Sequence, residues 1–301
     1  MPTAPAAGRP RPAVAGLAAM VLATLLWGGT FVAIRDTVAA IPPLELVFGR
    51  FAIASVLLAL LALPRRRRLT RETLLGGALA GLCFAGGFLA QAIGLTATSA
   101  GSSAFLTCAG TLLAAFFAWP LLGQRPSGLL LQGLAAALAG SALLSIGPAA
   151  APGPRFGPGE AWTLLGAAIF SLQIVVLARF APAADGPVLA AVQAVVCTLV
   201  LLPFAGGTAA VFGALRGADW LPFAYLVAAG SVVAPLLQIA AQRELSAGRV
   251  ALLFALEPVF ALGFALSLGG ESFAPRWWLG AALILAGVVR VEWPAAMRSR
   301  A

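Results

Sequence analysis

The chain has no lysine, no histidine and no asparagine, a single tyrosine, and only 10% charged residues in a length of 301. Without histidine there can be no Ser-His-Asp or Cys-His triad, no histidine-ligated metal and no histidine-held haem. Without lysine there is no Schiff base and no phosphate-loop lysine. The three cysteines, Cys83, Cys108 and Cys197, are odd in number, far apart and set inside apolar runs. Lacking C-x-x-C spacing, they make neither a disulfide framework nor a zinc site and read as small packing hydrophobes. No metal and no cofactor are expected.

What is present is apolar: 61% of residues are hydrophobic, and the mean hydropathy is +1.00. A soluble domain is roughly 45–50% apolar and about 25% charged. One soluble core cannot hide this much apolar surface, so a bilayer must act as the solvent. Ten segments approach the roughly 20 apolar residues that a membrane-crossing helix needs. They run approximately 13–34, 43–63, 74–95, 100–122, 127–147, 160–181, 187–205, 219–241, 248–269 and 275–293. The first follows Arg9 and Arg11 as a signal peptide would, but it continues to Ile34 with no A-x-A-type cleavage site, and is expected to be a retained helix.

All nineteen basic residues are arginine, and the net charge is +9. They are scattered singly apart from Arg65–Arg68, without the basic face and interleaved aromatics of a nucleic-acid binder. With the N-terminus inside, Arg9, Arg11, Arg65 to Arg68, Arg71, Arg125, Arg179, Arg243, Arg249, Arg290, Arg298 and Arg300 fall on one side. Arg35, Arg155, Arg216 and Arg276 fall on the other. That asymmetry places both termini in the cytoplasm and agrees with an even number of crossings. The Arg65–Arg68 cluster reads as a topology anchor against anionic lipid.

The chain also repeats itself. Ser99-Ala100-Gly101 matches Ser246-Ala247-Gly248, 147 positions later, and the match continues without a gap. Gln91 falls on Gln238, Phe117-Ala118 on Phe264-Ala265, Gly133 on Gly280 and Ala139-Gly140 on Ala286-Gly287. The earlier parts align at slightly smaller offsets, with Trp27-Gly28 over Phe170-Ser171 and Pro43 over Pro187. Five crossings per repeat is an odd number, so the second repeat would enter the membrane upside down. Inverted repeats are a common transporter plan, with the substrate site near the midplane where the halves meet. The expected organisation is a tail over 1–12, five helices over 13–147, a linker over 148–159, five more over 160–293 and a tail over 294–301. The fold class expected is an all-α integral membrane protein of ten transmembrane helices.

Leu26-Trp27-Gly28-Gly29-Thr30-Phe31, Arg50-Phe51, Thr98 to Leu106, Leu256-Glu257-Pro258-Val259-Phe260, Gly270-Glu271 and Gly280 to Gly287 occur in this order. As an ordered set they resemble the EamA family of the drug/metabolite transporter superfamily. The resemblance covers nearly the whole chain, and implies a ten-helix carrier of small metabolites, often an exporter. The superfamily includes exporters of amino acids, among them aromatic ones of the YddG type. Two positions depart from that pattern. Gln124 stands where the first repeat usually has glutamate, and Gly110-Thr111 stand where the second repeat has Glu257-Pro258.

Ionisable groups within spans are costly, roughly +2.5–3.5 kcal/mol at a helix centre, and are candidates for function. Glu257 reads either as a proton site or ammonium contact, or as a carboxyl held at a fixed kink made by Pro258. Arg50 reads as a partner for a substrate carboxylate or for Glu257, or as a side chain snorkelling to the interface. Gln91, Gln173, Gln193, Gln238 and Gln242 can bind a zwitterion or act as amide glue between helices. Trp27 and Phe105 can line an apolar pocket or simply pack. Trp162, Trp220, Trp277, Trp278 and Trp293 fall near span ends and fit an aromatic belt. Gly77, Gly81, Gly86 and Gly87 let helices approach closely.

With no Walker motif, ATP does not drive the process directly. The leading expectation is a non-enzymatic plasma-membrane carrier exporting small metabolites, amino acids above all. Its expected partners are the substrate, protons and the lipid bilayer, with no nucleic acid. The sequence leaves three rivals open: a membrane enzyme, a channel, and a carrier for some other metabolite.

Overall fold

The computed structural model describes residues 13–145, 157–206, 208–215, 220–268 and 275–298. The tail over 1–12, most of the linker and the Gly270-Glu271 motif lie outside them. The described residues are helical throughout, with no strand among them. In chain order the helices are α1 (Ala13–Val38), α2 (Pro43–Ala62), α3 (Arg71–Gly94), α4 (Ala100–Thr111) and α5 (Leu113–Leu122). Then come α6 (Gly128–Ser145), α7 (Pro158–Phe180), α8 (Gly186–Leu201), α9 (Thr208–Ala214) and α10 (Trp220–Tyr225). The last are α11 (Ala234–Gln242), α12 (Ala247–Phe254), α13 (Glu257–Ser267) and α14 (Arg276–Arg298). A 3-10 turn over Leu63–Arg68 extends α2, and a π-helical stretch over Leu226–Val233 joins α10 to α11.

Among the described residues, seven stretches are long and apolar enough to cross a membrane: Val14–Val38, Pro43–Arg68, Arg71–Gly94, Ser102–Leu122, Pro158–Phe180, Trp220–Gln242 and Ala247–Ser267. Two shorter apolar helices, Gly128–Leu144 and Gly186–Leu201, stand among them. Their outward faces carry leucine and phenylalanine, with Leu221 78% and Phe116 48% exposed. In water such a surface would aggregate; in a bilayer it is the solvated one.

Local chemistry sets the helix ends. The Thr70 hydroxyl accepts from the Thr73 backbone amide at 3.1 Å, and Ser99 accepts from that of Ser102 at 3.1 Å. Each satisfies one amide that the first helical turn leaves without a partner. Proline opens α2 and α7, where its missing N–H costs nothing. Gly123 ends α5 with φ of 70°, a left-handed conformation that suits glycine.

The α12–α13 break follows from Pro258, which cannot donate to the carbonyl of Phe254. The chain tightens instead, with Ala255 donating to Leu252 at 3.1 Å and Leu256 to Leu253 at 3.0 Å.

In the packing, α3 lies on α7 and α8, α2 on α8, α1 on α11 and α13, and α6 on α14. The α6–α14 crossing is close because glycine faces glycine. A Cβ on Gly287 would lie 2.7 Å from the Gly133 carbonyl oxygen, and one on Gly280 would lie 2.7 Å from that of Gly140. Gly81 does the same for α3 on α8, where a Cβ would sit 2.5 Å from the Gln193 carbonyl oxygen. The small residues read from the sequence as close-approach points are therefore found at helix crossings.

Candidate functional site

Five of the candidate residues line one interior cavity of about 390 Å3, its open mouth included: Trp27, Gln91, Gln173, Gln238 and Glu257. The wall is completed by Thr30 of α1, Phe84 and Phe88 of α3, Thr107 of α4, Phe170 of α7 and Phe254 of α12. Residues of both sequence repeats therefore meet around one space.

Aromatic rings form most of the lining. Trp27 stacks on Phe254 with centroids 5.3 Å apart and planes 18° from parallel. Phe84, Phe88 and Phe170 pack edge to face, with centroids 5.0 Å apart for Phe84–Phe88 and 4.9 Å for Phe88–Phe170. Such arrangements align the ring edges of one with the faces of another and hold the rings rigidly.

The polar part is made of amides. Gln173 and Gln238 bond reciprocally, Nε2 of Gln173 donating to Oε1 of Gln238 at 3.1 Å and Nε2 of Gln238 donating back at 2.9 Å. Gln173 also donates to Gln193 Oε1 at 3.5 Å. Gln91 donates to the Thr107 hydroxyl at 3.2 Å. Gln242, outside the cavity, donates to the Ile174 carbonyl at 2.7 Å and ties α11 to α7. The amides thus link helices, and three of them also present polar atoms to the cavity.

Glu257 is 5% exposed, and its Oε2 has no hydrogen-bond partner among the described residues. It takes part in none of the ion pairs there, which are Arg35–Asp36, Arg65–Asp185, Arg68–Asp185 and Arg249–Glu292. The buried Cys108 of α4 is its titratable neighbour. Pro258 places the carboxyl in the first turn of α13, where the helix restarts.

Arg50 stands one layer back. It is 0% exposed, so its guanidinium does not snorkel, and it makes no ion pair with Glu257. Its Nε donates to the Ser231 hydroxyl at 2.7 Å, and its guanidinium carbon lies 4.6 Å from the centroid of the Phe88 ring. One Nη2 is without a partner. Phe88 thus stands as the ring shared by Arg50 and the cavity. Phe105 is half-buried on α4 and is absent from the lining.

Thr30, Phe84, Phe88, Thr107, Phe170 and Phe254 were missed from sequence because apolar and hydroxyl residues are ordinary in a membrane helix. A signal for four of them was nonetheless present in the repeat. Phe170 is the repeat counterpart of Trp27, and Thr30 lies over Gln173 at the same offset of 143. Phe254 lies over Thr107 at the offset of 147 that joins Gln91 to Gln238.

A scan against protein families matches the EamA-like transporter family twice, over residues 14–146 and 157–292. The chain belongs to the EamA-like transporter family. It is a multi-pass membrane protein and a membrane transporter. A curated relative, an "Uncharacterized transporter" of Archaeoglobus fulgidus, is 26% identical over 273 residues, covering 91% of this chain and 84% of the relative. A solved structure titled only "Crystal structure of protein" superposes with a TM-score of 0.75 at 20% identity, covering 96% of this chain and 99% of that one. That likeness establishes the shared fold.

Proposed function

We propose that this EamA-family transporter is a secondary carrier exporting small metabolites across a bacterial plasma membrane by alternating access, with amino acids, including aromatic ones, as its substrates. The observation that carries the reading is the aromatic and amide cavity, lined by residues from both halves around the unpartnered carboxyl of Glu257.

The reading includes ten crossings arranged as two inverted five-helix repeats, with both termini in the cytoplasm. Counting α4–α5, α10–α11 and α12–α13 each as one broken rod, and leaving α9 outside, supports that number. The contacts support a two-fold exchange of halves. The packing of α3 on α7 answers to that of α11 on α1, and α5 on α7 answers to α13 on α1. The α6–α14 crossing answers to itself, because the exchange converts the Gly133–Gly287 contact into Gly280–Gly140. Near the helix ends, Glu244 accepts from the Gly16 amide at 3.0 Å, and Glu160 accepts from the Thr98 hydroxyl at 2.6 Å. Each of these joins the first rod of one half to the link between the third and fourth rods of the other. Two similar halves that exchange conformations turn an outward-open carrier into an inward-open one.

Glu257 is proposed as the coupling site for protons. Purified protein in sealed liposomes tests both parts. Saturable uptake of labelled amino acids, stimulated by counterflow, is expected, and no counterflow with any member of a broad metabolite panel would sink the carrier reading. Non-saturable flux would favour a channel instead. Glu257→Gln is expected to flatten the pH dependence of transport; an unchanged profile removes Glu257 from proton handling.

A further inference from the structure

Four pairs of cavity-lining positions answer to each other across the sequence repeat, while Phe84, Phe88 and Glu257 have counterparts that do not line the cavity. Trp27 answers to Phe170, Thr30 to Gln173, Gln91 to Gln238 and Thr107 to Phe254. The counterpart of Glu257 is Gly110, which has no side chain to contribute. The repeat therefore contributes a carboxyl to the cavity from one half and none from the other. Glu257 is the one charged side chain among the residues lining the cavity.

No cation balances it there. The buried Arg50 is not among the lining residues; its Nε donates to the Ser231 hydroxyl and its guanidinium lies against the Phe88 ring. A ligand carboxylate inside the cavity would meet the carboxyl of Glu257 and amides, with no arginine on the wall. A ligand ammonium would meet the free Oε2 of Glu257 and a wall that includes the rings of Trp27, Phe88 and Phe170. Aromatic rings attract cations, and more strongly when both are desolvated. Burial strengthens the carboxylate–ammonium contact further, because little water competes for either group.

We infer that this cavity selects its ligand by a positively charged amine, seated on Glu257 with an aromatic or branched apolar body among the rings, and that a ligand carboxylate is dispensable. The inference rests on the carrier reading above and names its substrate class: small organic amines, with amino acids held by their ammonium group.

The test is calorimetric titration of the purified full chain with four ligands that share one ring: 2-phenylethylamine, phenylalanine, 3-phenylpropanoate and 3-phenylpropanol. The amine is expected to bind at least tenfold tighter than 3-phenylpropanoate. Glu257→Gln is expected to weaken the amine at least tenfold while changing 3-phenylpropanol less than twofold, and Glu257→Asp is expected to keep the amine preference. Equal binding of amine and acid overturns the inference, as does unchanged amine binding by Glu257→Gln. Failure of all four ligands to bind overturns it too. The wild-type ligand series decides the matter should the variants not fold. Loss of counterflow across the wider panel is a separate result and falls on the carrier reading alone.

Discussion

Two rods whose residues are offset by 147 positions, α3 and α10–α11, line the cavity, and they are built differently. Helix α3 is an uninterrupted α-helix whose Phe84 and Phe88 fill space with rings. The residues 147 positions later are Ser231 and Pro235, in and just after the π-helical stretch. Proline explains the difference. In the widened register Ala234 donates to the Ala229 carbonyl, and the next donor would serve Gly230, but Pro235 has no N–H. The Gly230 carbonyl is left free, and the Trp27 indole takes it at 3.0 Å. Ser231 takes Arg50, and Tyr225 donates to the Leu26 carbonyl at 2.7 Å. One rod supplies rings to the cavity, while the other fastens α1 and α2 through polar bonds. A π-bulge is often the mark of such a functional rearrangement. Two similar sequences have diverged in register as well as in side chains.

Substitutions can break this contrast. The largest loss is expected from Phe84→Ala, which removes a buried ring touching Phe51, Phe88 and Phe170. About 3 kcal/mol is expected, read as a lowered midpoint in detergent unfolding, and a loss below about 1 kcal/mol would show that the ring cluster is not a packing element. Next comes Gly81→Val on α3, which forces a side chain against the Gln193 carbonyl and should cost about 2 kcal/mol. The matching change on the other rod, Ala228→Val, faces outward and should leave the midpoint where it is.

Ser231→Ala should cost about 1.5 kcal/mol, because the buried Arg50 guanidinium then loses its hydroxyl acceptor. Ser231→Thr keeps the acceptor and is expected to lose less. The smallest effect sharpens the contrast most. Trp27→Phe leaves the Gly230 carbonyl unpaired and should cost about 1 kcal/mol, but less in a Pro235→Ala background, where residue 235 regains an N–H for that carbonyl. A double-mutant cycle with no coupling would refute the account of the π-helical stretch.

Much of this molecule was legible before it was folded. Long apolar runs mark spans because a bilayer admits only backbone that is satisfied internally. Glu257, Gln91, Gln173 and Gln238 stood out because polar groups within such runs are rare and costly. Phe105, read as a pocket or packing residue, is half-buried off the cavity. Arg50 was read as a partner for a substrate carboxylate or Glu257, or as a snorkelling side chain; it makes no ion pair with Glu257 and has no exposed end. It is held by a hydroxyl and a ring that come from α11's neighbouring stretch and from α3. Phe84, Phe88 and Phe170 were indistinguishable from packing residues, since facing a cavity and facing a neighbouring helix require the same side chain.

Hydropathy, arginine distribution, the internal repeat and the single intramembrane carboxylate are properties of segments, and the amino-acid order alone determined them. Which side chains share a cavity, which cation is screened behind a ring, and where a widened turn frees a carbonyl were decided only by the tertiary structure. The reason is geometric: a few degrees of rotation about a helix axis moves a residue from cavity to lipid, and that rotation is set by glycine contacts such as Gly133–Gly287 between rods distant in sequence.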